Sequence, residues 1–282
     1  MKTIVTIAHP RTGSTFLINF FATEEKESYN AKEFYGNFLP TRYKQIKYIY
    51  FKNDISIPSS YQLFLDKAIY ILSQVTHYKR PLQEVIQESS DICNLDMIND
   101  FTNTLKGLNY ECFFYKLIRN VYLKGEGIWP DFVKHCSLSA DTIIINYRKS
   151  ILDTYISLRK AEQTGIWMGK KYKEEYDFCK VVWDLEDFKD FSLNYINYYY
   201  DILKILKKIK KDYVIINYEE LCNSTNKQKF ISDKIKLNKY INKESNVAKQ
   251  STTKNIKDNF ENSEQFTKQV RGLKDSQLFL EL

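Results

Sequence analysis

Residues 4–17, Ile4-Val-Thr-Ile-Ala-His-Pro-Arg-Thr-Gly-Ser-Thr-Phe-Leu17, constrain the fold more than any other stretch. They read as a buried strand running into a short loop and then a helix. Ile4, Val5 and Ile7 form a nearly continuous β-branched run, as in a parallel strand covered on both faces. Phe16, Leu17, Phe20 and Phe21 then recur at helical spacing. Between them Gly13 lets the backbone turn without a Cβ clash, so that the N–H groups of Thr12, Gly13, Ser14 and Thr15 can converge at the positive end of the helix. Arg11 adds a fixed charge, and Ser14 and Thr15 add hydroxyl donors. This is the composition of an anion cradle, weighed against a plain strand-to-helix turn at Gly13. A Walker A reading fails on spelling, because its first glycine and the lysine that should follow Gly13 are missing.

A second segment repeats the layout. Asp141-Thr-Ile-Ile-Ile-Asn-Tyr-Arg148 is an apolar β-branched run ending on a cation, and residues 149–159 continue with helical spacing. Arg148 is therefore expected at the carboxyl end of a strand, the crevice where open α/β sheets collect ligands. Ser157 lies nine residues on, so about two and a half helical turns bring its hydroxyl back toward the same anion. Residues 111–118 and 212–221 are further strand-length apolar runs. From Phe188 to Lys211 the apolar residues return every three or four positions and end in a cluster of lysines. Strands alternating with helices predict an α/β fold: a P-loop-like, mostly parallel sheet flanked by helices.

Together these segments resemble the sulfotransferases that use 3′-phosphoadenosine 5′-phosphosulfate (PAPS). Arg11-Thr12-Gly13-Ser14-Thr15 resembles their 5′-phosphosulfate loop, and Arg148 with Ser157 their 3′-phosphate motif. Residues 161–167 look like the continuation found in bacterial carbohydrate sulfotransferases of the trehalose type, and Tyr218-Glu-Glu-Leu221 is similar to a late strand ending of the family. The resemblance covers about residues 1–35, 111–167 and 212–222. It implies a PAPS-dependent enzyme that sulfates a hydroxyl of a carbohydrate or other small acceptor without a metal. It also implies Glu33, in Ala31-Lys-Glu-Phe-Tyr35, as general base, although the family's glycine is absent there. His9 beside the loop is the second candidate base; Lys116, late in its strand, either points into the cleft or has a surface role.

Composition fits one compact enzyme. The 282 residues carry no Pro/Gly/Ser-rich linker, so one domain over 1–282 is expected, with about 37–110 as a helical insertion on the acceptor side. The chain reaches its first strand within three residues and has no apolar stretch of spanning length. A soluble, cytoplasmic protein without a membrane span is the expectation. Cys93, Cys112, Cys136, Cys179 and Cys222 form no CxxC pair and read as free thiols; His9, His77 and His135 are too dispersed for a metal site. A net charge of +7 is compatible with a polyanionic cofactor but too small to single one out, and nucleic acid is disfavoured because the aromatics lie in periodic core segments and Lys207–Lys211 is one short helix end. The competing readings are a nucleotide kinase or NTPase on the same scaffold, and a non-catalytic nucleotide or nucleic-acid binder.

Overall fold

The computed structural model describes residues 1–21, 28–30, 50–59, 62, 74, 95–118, 129–166, 173–236 and 255–282. The expected first strand is β1 (Lys2–Ala8), followed by a five-residue helix α1 (Ser14–Ile18). Then come β2 (Ser28–Asn30), α2 (Leu95–Gly107), β3 (Cys112–Ile118), α3 (Trp129–Ser139), β4 (Thr142–Tyr147) and α4 (Ile151–Thr164). The short α5 (Lys173–Phe178) precedes α6 (Leu185–Lys208), the longest described helix. β5 (Val214–Asn217), α7 (Tyr218–Asn223), α8 (Lys227–Ile235), a 3₁₀ turn at Ile256–Asn259, α9 (Ser263–Val270) and α10 (Asp275–Leu278) complete the order.

The strands form one sheet in the order β2-β3-β1-β4-β5. The four longer strands run parallel, flanked by helices, and β2 pairs parallel with β3, Ser28 opposite Cys112. Burial explains the nearly continuous β-branched run Ile4, Val5 and Ile7: from Thr3 to Ala8 every residue is buried. No helix among the described residues is long and apolar enough to cross a membrane.

The chain divides into two compact units. One comprises 1–7, 22–144 and 205–213, with a core that includes Ile4, Val5, Phe101, Phe113, Phe114, Leu117, Val133 and Ile144. The other comprises 8–21, 145–204 and 214–282, and its core is aromatic. Trp183 meets Tyr155, Phe188, Phe260 and Phe266 at ring distances of 5.0 to 6.1 Å and donates its indole N–H to Gln269. α6 contributes Phe188, Phe191, Tyr195, Tyr198, Tyr199 and Ile202 at helical spacing.

Three of those tyrosines finish strands rather than merely fill space. Where β1 and β4 end, their last backbone groups lose sheet partners, and a buried carbonyl or N–H needs another one. Tyr198 donates its hydroxyl to the Ala8 carbonyl, and Tyr199 donates to Asn146 while accepting the His9 N–H. Tyr195 accepts the Arg148 N–H and donates to the Arg148 carbonyl.

The run 212–221 is corrected. Only Val214–Asn217 is strand, and Tyr218 begins a helix, because the Asn217 side chain accepts the Glu220 N–H and caps it. The Lys116 surface alternative is also corrected: the residue is 2% exposed. Of the expected helical insertion at 37–110, α2 is described with its bounds and residues 50–52 are helical; most of it, including His77, lies outside the described residues.

Candidate anion-binding site

The site starts from the sheet order. β1 and β4 are neighbours, and the chain leaves β1 toward β2 and β3 but leaves β4 toward β5. Their carboxyl ends therefore flank a topological switch point, the place where parallel sheets open a crevice for ligands. Loop 9–13 follows β1, and Arg148 follows β4.

The first loop is tied down from within. Thr12, fully buried, donates its hydroxyl to the His9 carbonyl at 2.7 Å. Arg11 and Gly13 both take left-handed backbone conformations, φ 67° and 76°. Glycine does so freely, whereas for arginine the conformation costs about 1 kcal/mol or more. Gly13 answers a second demand, since a Cβ there would sit 2.1 Å from Cδ2 of Tyr218. The glycine thus serves both the turn and a close passage of backbone over an aromatic ring.

Arg11 turns its guanidinium toward α4 and α5. Its Nε–H donates to Ser157 Oγ and its Nη2 to the Tyr176 hydroxyl, both at 3.0 Å. Those two oxygens are 2.9 Å apart, and Tyr176 also donates to the Ser157 carbonyl. The guanidinium carbon lies 5.6 Å from the Tyr176 ring centre. Arginine reads oxyanions through paired parallel N–H groups of this kind.

Arg148 sits in a different setting. Its side chain is 14% exposed, with Nη2 3.3 Å from Asp153 and Nε 3.6 Å from Glu219. Its guanidinium carbon lies 5.2 Å from the centre of the Tyr218 ring. Among the described residues Nε is buried and makes no hydrogen bond. Glu219 also accepts the N–H groups of Lys149 and Ser150, and Ser150 caps α4 by accepting the Asp153 N–H. The carboxylate therefore lies where a helix N-terminus and an arginine both favour negative charge.

The expected residues thus come together in an unexpected pairing. The sequence groups Ser157 with Arg148, yet Ser157 bonds Arg11, and the ring of Tyr218 is what touches both Gly13 and Arg148. Ser14 is buried and Thr15 partly exposed at the start of α1. His9 is 7% exposed, its Nδ1 3.0 Å from the Pro10 carbonyl, with the ring edge-on to Phe191, Tyr195 and Tyr198. Glu33 lies outside the described residues.

Sequence reasoning missed Tyr176, Tyr218 and Glu219. The last two stand in the quoted Tyr218-Glu-Glu-Leu221 run, where a strand reading hid their role; Tyr176 carries no signal of its own. Behind it lies Lys160, 2% exposed, with its Nζ 3.4 Å from the Asp177 carbonyl and 5.8 Å from the Tyr176 ring centre. Burial pushes that ammonium's pKa down.

The donor set suits a ligand with more than one anionic group: two arginines, several hydroxyls and a glycine loop gathered at a switch point. Compared with known protein families and curated sequences, the chain matches no family model and no curated protein to a significant degree.

Proposed function

We propose that the protein is a sulfotransferase that uses PAPS and sulfates a hydroxyl of a carbohydrate or another small acceptor. The observation that supports this reading is the 3.0 Å contact between Arg11 and Ser157, residues of two motifs 146 positions apart in the chain, which adjacent β1 and β4 bring to one site.

PAPS would supply a sulfuryl group on a bisphosphate leaving group. On this reading Arg11 and the polar groups of Thr12, Gly13, Ser14 and Thr15 hold the 5′ side and offset the negative charge that grows as the sulfur–oxygen bond breaks. Arg148 and Ser157 are the residues the resemblance gives to the 3′-phosphate, Ser157 through a hydroxyl that in this structure is engaged with Arg11 and Tyr176. Two carboxylates already face Arg148, so a phosphate shares that cation rather than claiming it whole. The acceptor hydroxyl passes its proton to Glu33, a role that rests on the resemblance alone. A kinase reading has no lysine after Gly13 to hold a triphosphate.

The test is thermal unfolding with PAPS, its bisphosphate product, ATP or single-stranded DNA, since a ligand that prefers the folded state raises the midpoint. PAPS and the bisphosphate are expected to do so. A shift by ATP alone, or by DNA alone, overturns the proposal. Calorimetry is expected to show Arg148→Ala weakening the bisphosphate about tenfold, the loss of one charge-assisted contact. Glu33→Gln is expected to leave that affinity intact and to slow transfer by roughly 10²- to 10⁴-fold, as loss of a general base does.

A further inference from the structure

Tyr176 is 2% exposed, and its hydroxyl serves no packing purpose that phenylalanine would not meet as well. The hydroxyl is nevertheless fully engaged: it receives the Nη2–H of Arg11, lies 2.9 Å from Ser157 Oγ and donates to the Ser157 carbonyl. Ser157 Oγ receives the neighbouring Nε–H of the same arginine. Two adjacent donors of one guanidinium therefore end on two oxygens fixed side by side.

The backbone points the same way. Arg11 occupies a left-handed conformation that residues other than glycine, asparagine and aspartate rarely adopt. Backbone outliers of this kind persist where surrounding contacts over-determine them, and they gather at working sites. Here the contacts that hold Arg11 include the hydroxyls of Tyr176 and Ser157. A lysine in place of Arg11 could not make both in one plane, because an ammonium lacks the fork.

We propose that Tyr176 is a positioning residue that, together with Ser157, fixes the orientation of the Arg11 guanidinium in the anion site. The inference rests on the sulfotransferase reading and adds to it a residue with no counterpart in either sequence motif. Tyr176 acts through Arg11, so its hydroxyl matters to the step in which Arg11 meets developing charge and not to the overall hold on the nucleotide.

The experiment is a double-mutant cycle of Arg11→Ala and Tyr176→Phe on the full chain, read by sulfate transfer from PAPS, by bisphosphate affinity and by unfolding midpoint. Tyr176→Phe keeps the ring and its packing. It is expected to lower kcat about tenfold, to move bisphosphate affinity and the midpoint little, and to change the rate less than twofold once Arg11 is already alanine. An unchanged kcat overturns the inference, as does an equal loss in both backgrounds, or a parallel fall in affinity and midpoint that marks a structural role. Those outcomes leave the sulfotransferase reading standing. If the unaltered protein binds neither PAPS nor the bisphosphate, that reading fails and takes the inference with it.

Discussion

Gly13 shows how much one missing carbon can carry. Gly13→Ala brings a methyl carbon onto the Tyr218 ring at 2.1 Å and strains a φ of 76°. Overpacking and left-handed strain together predict a loss of about 2–4 kcal/mol, measurable as a shift in denaturant midpoint. Arg11 offers the converse. Its φ of 67° suits glycine, so Arg11→Gly is expected to be more stable than Arg11→Ala by about 1 kcal/mol, although both lose the guanidinium. Equal stabilities would mean that the loop relaxes out of the left-handed region once the side chain is gone. The sequence announces Gly13 because glycine stands out among its neighbours; the strain at Arg11 is silent there, since arginine carries no mark of unusual backbone geometry.

Among the elements, β1, β3, β4 and α6 are legible because burial on both faces, or a stripe at helical spacing, imposes a long unbroken pattern. β5 is not legible to its end. Val214–Asn217 runs into Tyr218–Leu221 with no glycine or proline between them, and a single asparagine that caps the following helix decides where one becomes the other. β2, three residues long, is too short to leave a period. The strand ends supply a prediction. Tyr195→Phe removes the partner of both partly buried backbone groups of Arg148, so a loss of about 1–2 kcal/mol is expected in chemical unfolding. Asn217→Ala removes one cap and is expected to cost about 1 kcal/mol.

At the scale of the whole molecule, alkali is the expected weakness. Burial pushes the Cys112 and Cys136 thiols up from 9.0 to about 12, and it raises the phenols of Tyr115, Tyr195 and Tyr199 as well. A group whose folded pKa lies above its unfolded one stabilises the fold fully below the unfolded value and loses that contribution as pH climbs toward the folded value. Denaturant midpoints are therefore expected to fall steadily between about pH 9 and 12. Lys160 works in the opposite sense: its lowered pKa means that the fold gains as this ammonium loses its proton, so Lys160→Met is expected to raise the midpoint at neutral pH. A flat profile across the alkaline range would show that the buried thiols and phenols stay inaccessible through unfolding. None of this was legible beforehand, because which cysteines and tyrosines are buried depends on contacts between distant segments. Tyr218 carries one more consequence, in time rather than in space. The ring that lies against the backbone of Gly13 and faces Arg148 belongs to a residue made after both loops. A growing chain holds both arginines early but lacks this wall until β5 has been synthesised. Stalled chains ending before Tyr218 are accordingly expected to resist proteolysis no better with the bisphosphate than without it, and chains that extend through the C-terminal helices to be protected.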